Sequence, residues 1–129
     1  LGLIGNPVKV VSVGRLEWKK GFEYAIRAIC LLKQVGISIE YRIVGEGSER
    51  ESLAYSIVQQ QLQHEVILKG RLSHSETLQV MHEADIYLQP SVQEGFCNAL
   101  IEAQATGLLC IATNAEGLSE NVINEESGW

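Results

Sequence analysis

The sequence predicts an α/β domain built on a doubly wound parallel sheet, and three observations along its 129 residues predict it. Apolar runs rich in β-branched residues alternate with stretches whose apolar residues recur every three or four positions. Capping residues and glycines mark the ends of those stretches. The intervening loops are short, and the glycine-rich ones follow the apolar runs. Strands of a parallel sheet are buried on both faces, so they read as continuous apolar runs, and right-handed crossovers supply the covering helices.

Taken in order, residues 1–7 form an irregular leader ending at Pro7, expected to be the remnant of an interdomain linker, and residues 8–129 form the domain itself. Residues 8–13 read as a first strand. Phe22, Ile26, Ile29 and Leu32 then lay one apolar stripe along a helix ending near Gly36. Residues 37–44 read as a second strand, and Ser48 with Glu51 has the capping-box pattern of a helix running through Leu53 and Ile57. Residues 66–68 form a third strand, and Ser73 with Glu76 a second capping box for a helix carrying Leu78 and Met81 on one face. A fourth strand at residues 86–88, a helix over 99–105 closed by Gly107, a fifth strand at 108–112 and a short helix over 118–123 complete the alternation. The chain starts at Leu1 and stops at Gly128-Trp129, so further sequence is expected at both ends and the domain is expected to be truncated at its C-terminus.

Composition narrows the class of function. With 46% hydrophobic and 20% charged residues, the chain has the makings of one globular core. No apolar run approaches the roughly 20 residues of a membrane span, and the first residues carry no basic stretch with a hydrophobic signal core. The three cysteines, Cys30, Cys97 and Cys110, form no C-x-x-C pair and sit in apolar surroundings. They read as reduced and buried, which implies a cytoplasmic setting. A net charge of −6 argues against general nucleic-acid binding but leaves room for a small phosphorylated ligand held by local donors.

Ligands of doubly wound sheets sit at the carboxyl ends of the strands, which directs attention to residues 14–21, 45–48, 70–74, 90–97 and 114–118. In the first of these loops Arg15, Lys19 and Lys20 lie between a strand end and a helix start. Helix-terminal N–H groups, an Arg fork and a Lys point charge outline a phosphate site there, and ordinary solvated charges would give the same pattern. Gly45-Glu46-Gly47 begins like a dinucleotide fingerprint, yet Arg50 replaces the third glycine and the loop follows the second strand. Turn chemistry accounts for it. Glu94 precedes a helix and Glu102 lies on it, eight positions and about 12 Å along the axis. The two acids can meet different parts of one ligand, or simply be a dipole-favoured acid and a surface residue.

Asp85 is the only aspartate, so no D-x-D metal motif exists, and His64, His74 and His82 lack metal-ligand spacing. Neither H-E-x-x-H nor G-x-S-x-G occurs. No metal and no cofactor are expected, and His74 reads as a polar loop residue.

Three segments occur in order, G-R-L-x-x-x-K-G from Gly14, V-G-x-G from Val44 and E-G-F-x-x-x-x-x-E-A-x-A-x-G from Glu94. Together they resemble glycosyltransferase family 4, the group 1 glycosyltransferases, and the likeness runs from Val8 to Val122. The resemblance implies the C-terminal, donor-binding half of a GT-B enzyme with two Rossmann-like domains. It implies transfer of a sugar from a nucleoside-diphosphate sugar, with retained configuration and no metal. Arg15 and Lys20 match the pair on the donor diphosphate, Glu94 the acid on the transferred sugar, and Glu102 the acid on the ribose hydroxyls. Gly14 belongs to the same first segment; Gly95, Phe96 and Cys97 match the helix start whose amides meet diphosphate or sugar, and Arg71 and Leu72 the loop lining the base. Glu120 matches an acid after the fifth strand, and Asn114-Ala115-Glu116-Gly117 replaces a frequent Gly-Gly turn. The implied partners are the nucleotide-sugar donor and an N-terminal acceptor domain, with membrane association only through that half. A sugar-nucleotide epimerase of the same architecture and a non-catalytic nucleotide-binding module are the alternative readings, separated by what precedes Leu1.

Overall fold

The computed structural model describes residues 6–91 and 98–112. Five parallel strands, β1 (Val8–Val13), β2 (Ile39–Val44), β3 (Val66–Gly70), β4 (Ile86–Gln89) and β5 (Leu109–Ala112), pair in the order β3-β2-β1-β4-β5. Helices α1 (Phe22–Gln34), α2 (Arg50–Gln59), α3 (His74–His82) and α4 (Asn98–Thr106) connect them, with one 3-10 turn at Trp18–Lys20.

The sheet is doubly wound because its two faces need separate cores. On one face Val10, Tyr41, Ile43 and Val66 pack with Phe22, Ile26 and Ile29 of α1 and Leu53 and Ile57 of α2. On the other, Val11, Val44, Tyr87 and Cys110 pack with Val80 and Met81 of α3 and Leu100 and Ala103 of α4. Adjacent residues Val10 and Val11 thus serve opposite cores, as alternation along a strand requires. The chain runs outward from β1 to β3, then returns to the other side of β1 for β4. That reversal opens a crevice at the carboxyl ends of β1 and β4.

The expected strands and helices all form within the described residues; β3 and β4 run on to Gly70 and Gln89, α4 covers Asn98–Thr106, and three other boundaries differ for identifiable reasons. The second strand begins at Ile39, not 37, because Ile37 is used to close α1. Its N–H donates to the Leu32 carbonyl (3.0 Å) while Gly36 N–H donates to Lys33 (3.0 Å), with Gly36 at φ +88°. Gly107 and Leu108 close α4 in the same way, onto Gln104 (3.1 Å) and Ala103 (3.2 Å), so β5 starts at Leu109. The Ser48–Glu51 capping box does not form. Helix α2 starts at Arg50 with Glu49, not Ser48, at its N-cap and no side-chain cap, and the Glu49 N–H donates to the Leu16 carbonyl (2.8 Å). The expected helix over 118–123 lies outside the described residues.

Cys30 is half-buried and Cys110 buried, both as free thiols, and burial pushes the Cys110 thiol up to about 11. Cys97 lies outside the described residues.

Helix α2 ends in the same closing geometry, but with Gln61 at φ +58° in place of glycine. Gln61 N–H donates to Val58 (3.0 Å) and Leu62 N–H to Ile57 (2.8 Å). A side chain in the left-handed region costs on the order of 1 kcal/mol. Gln61→Gly is therefore expected to raise stability by about 0.5–1 kcal/mol, measured by urea unfolding, even though it removes contacts and loosens the unfolded chain. A destabilised variant would show that Gln61's side chain outweighs its backbone strain.

Candidate functional site

A cleft of about 750 Å³ opens where β1, β2 and β3 end, lined by Val13, Gly14, Arg15, Val44, Gly45, Glu46, Gly47, Arg71, Leu72 and Thr77. Backbone hydrogen bonds between successive strand-end loops build its walls. Gly14 N–H donates to Val44 (2.9 Å), Leu16 N–H to Glu46 (2.9 Å) and Gly45 N–H to Gly70 (2.8 Å). Leu16 is the anchor: it is fully buried, so the loop after β1 is pinned while Arg15 beside it stays outside. Both of Leu16's backbone groups are satisfied by the loop after β2, its carbonyl by Glu49.

Glycine makes this approach sterically feasible. A Cβ on Gly45, at φ +141°, would lie 1.9 Å from the Gly14 carbonyl oxygen, and one on Gly47 2.5 Å from that of Leu16. The Gly-Glu-Gly pattern is thus a packing device for two loops, as its turn reading implied, and it also lines the cleft.

Under the crevice the buried polar groups are hydrogen-bonded. Tyr41, fully buried, shares a hydrogen bond with Ser12 (2.7 Å), whose hydroxyl donates to the Leu88 carbonyl (2.6 Å). Desolvation holds the Tyr41 phenol well above its usual range, outweighing the lowering by Ser12, so it stays neutral. Tyr87 donates to Gln89 (2.7 Å) and Gln89 to Ser91 (2.7 Å), all buried, carrying the network to the end of β4. No group in this floor is charged.

The charges sit on the rim. Arg15 is 80% exposed and lies 3.3 Å from Glu17, a pair too solvated to hold it firmly. The Lys20 side chain runs beside Gly14, its Cδ 3.7 Å from where a Cβ would stand on that glycine. Arg71 and Leu72 lead from β3 into α3, whose start is fixed by the expected capping box. Glu76 N–H donates to Ser73 Oγ (3.1 Å) and Ser73 N–H to Glu76 Oε1 (2.9 Å).

The structure therefore brings Gly14, Arg15, Arg71 and Leu72 to one cleft, with Lys20 over its Gly14 edge. Glu102 does not line that cleft. It lies on α4 and binds His74 at the first turn of α3, Oε2 to Nε2 at 2.5 Å, so His74 is tied to a candidate site residue instead of standing as a bare loop histidine. Glu94, Gly95, Phe96 and Cys97 lie outside the described residues, as do Glu120 and the turn at 114–117. Glu46, Thr77 and the buried Leu16 were not among the expected site residues. Leu16 had a signal, as the only aliphatic residue in a polar loop; Thr77 had none, because only the orientation of α3 turns it toward the cleft.

Strand reversal, a cleft at the strand ends and cations on its first loop define a Rossmann-like domain. Residues 1–129 match the family model described as glycosyl transferases group 1, and the chain belongs to that family. It is 37% identical over 130 residues to the amylovoran biosynthesis glycosyltransferase AmsK of Erwinia amylovora, covering 96% of this chain and 32% of that protein. It is 35% identical over 127 residues to the glycogen synthase of Mycobacterium tuberculosis, covering 95% and 30%. It superposes on the pneumococcal O-GlcNAc transferase GtfA, solved in complex with UDP and GlcNAc, with a TM-score of 0.85 and 25% identity, over 95% of this chain and 24% of that one. The chain spans about a third of the length of these curated relatives. Among the described residues, no helix is long and apolar enough to cross a membrane.

Two outcomes follow from the cleft walls. Gly45→Ala is expected to cost about 3 kcal/mol, because both its backbone conformation and the Gly14 carbonyl oppose a Cβ; an unchanged urea midpoint would contradict the interlock. The second concerns Glu76, whose carboxyl is held below its ordinary 4.5 by the Ser73 backbone N–H, then by the Ser73 side chain. The unfolded chain therefore takes up this proton first on acidification. The contribution is complete above about pH 4.5 and is lost as pH falls through the lower folded value. The stability gap between wild type and Glu76→Gln should be full near pH 7 and shrink as pH falls below about 4.5; a gap that stays constant on acidification would show that the carboxylate charge plays no part.

Proposed function

We propose that this chain is the donor-binding domain of a retaining glycosyltransferase that takes its sugar from a nucleoside-diphosphate sugar. The observation that carries the reading is the convergence of Gly14, Arg15, Arg71 and Leu72 on one strand-end cleft, with Lys20 at its edge, in the domain that a UDP- and GlcNAc-bound relative superposes on.

In this reading Arg15 and Lys20 bind the diphosphate, Arg71 and Leu72 flank the base, and Glu102 accepts hydrogen bonds from the ribose hydroxyls. Glu94 accepts those of the transferred sugar, and Gly95, Phe96 and Cys97 present backbone N–H groups to the diphosphate or sugar. As the bond between the anomeric carbon and the diphosphate oxygen breaks, negative charge gathers on the leaving group. A guanidinium that grips two oxygens and an ammonium at the same oxygens stabilise that charge more than they stabilise the bound donor, which lowers the barrier. Two cations take the place a divalent metal occupies in other designs; Asp85, the sole aspartate, is committed to the Lys9 backbone N–H (2.9 Å). The acceptor and any base come from a second, N-terminal domain, so the chain alone binds donor weakly and transfers little. Free thiols at Cys30 and Cys110 suit a reducing, cytoplasmic setting.

Calorimetric titration with UDP, GDP and ADP tests the assignment. At least one is expected to bind, and the Arg15→Ala, Lys20→Ala double variant is expected to weaken it at least about tenfold, as loss of two charge-assisted contacts requires. A folded protein that binds none of the three, or a double variant that binds as wild type, would overturn it.

A further inference from the structure

We infer that His74 is a positioning residue for Glu102, holding its carboxylate at the α3 rim of the cleft for the ribose diol; this rests on the reading of Glu102 as the ribose acid. His74 is the first residue of α3 and Glu102 the fifth of α4, two helices joined to the sheet by different crossovers, and their side chains meet at 2.5 Å. The meeting point is next to the cleft. Leu72, two residues before His74, lines it, and so does Thr77, which shares His74's helix face at a spacing of three.

A glutamate side chain has three rotatable bonds, and freezing them when a ligand arrives lowers affinity. His74 has two, and its backbone is fixed by the Ser73–Glu76 capping box, so contact with it restrains Glu102 before the ligand binds. The chemistry of the pair leaves the carboxylate usable. An ionised carboxylate only accepts, with about four lone-pair sites across its two oxygens. Nε2 takes one site on Oε2, and Oε1 makes no bond among the described residues. Both the imidazolium and the neutral ring protonated at Nε2 can donate this bond.

The pair's exposure, 72% for His74 and 38% for Glu102, means it adds little to folding, so its effect is expected in ligand binding. The probes are whichever of UDP, GDP and ADP the purified protein binds best and the 2′,3′-dideoxy form of the same nucleotide, titrated into wild type, His74→Ala, His74→Gln and Glu102→Gln. His74→Ala is expected to weaken the ribonucleotide about three- to fivefold and leave the dideoxy form unchanged. His74→Gln, which keeps an N–H near the Nε2 position, is expected to restore most of that loss. Glu102→Gln is expected to lose most of the preference for the ribonucleotide. If Glu102→Gln keeps the preference, the ribose reading of Glu102 fails and the inference with it. If Glu102→Gln loses the preference while His74→Ala keeps it, or if His74→Ala weakens both nucleotides equally, the positioning role alone is overturned.

Discussion

The site depends on one local constraint, the burial of Leu16 with both of its backbone groups hydrogen-bonded to the loop after β2. A peptide unit drawn into the protein must keep its hydrogen bonds, and here the neighbouring loop supplies them. That loop can come close enough only because it carries glycine at 45 and 47, where a Cβ would fall within 1.9 and 2.5 Å of backbone oxygens. Gly21 does the same on the other side, where a Cβ would meet the Pro90 carbonyl oxygen at 1.8 Å. The loop after β1 is thus wedged between the ends of β2 and β4. Arg15 and Lys20 project from a backbone with little freedom to move.

This separates two demands that conflict. Cations held deep in a protein must be paired or they destabilise it, and pairing would remove them from use. Here the buried floor is built from neutral, hydrogen-bonded groups, Tyr41 with Ser12 and Tyr87 with Gln89 and Ser91. The charged side chains begin only above it, on backbone that the floor and the glycine contacts hold in place. Rigidity comes from the neutral layer, and the cations stand on the rim above it.

Much of the fold was legible because its signals are local. Strand runs such as residues 8–13 announce burial on both faces, and the Ser73–Glu76 box announces a helix start that forms as read. Boundaries failed where a residue serves two elements. Ile37 and Leu108 look like strand residues by side chain, yet their N–H groups close the preceding helices. Ser48 and Glu51 have the right spacing for a cap, but the helix begins one residue later, with Glu49 as N-cap held by its N–H to Leu16, a residue more than 30 positions away that no local pattern reveals. The site divides in the same way. Gly14, Arg15, Arg71 and Leu72 could be found because they sit directly at strand ends, whereas Thr77 and the tie between His74 and Glu102 depend on how α3 and α4 pack.

How a chain of net charge −6 would hold the proposed diphosphate is a question of distance more than of total charge. Exposed charges are screened over a Debye length of about 8 Å, so acids farther from the cleft than that contribute little to the field inside it. Two acids are near. Glu46 lines the cleft, and Glu17 pairs with Arg15 at 3.3 Å. The Arg15–Glu17 pair is the informative one. An exposed ion pair is worth at most about 1 kcal/mol, so Glu17 can park the guanidinium without competing seriously for it. A diphosphate offers two oxygens to the planar fork and more charge than one carboxylate, so the exchange of partners favours the ligand. Lys would not serve at position 15 in the same way, because a single ammonium can follow one oxygen but cannot orient the group. On the proposed reading Glu46 works by repulsion: it disfavours phosphate at the β2 side of the cleft and leaves the β1 side, with Arg15 and Lys20, to the anion.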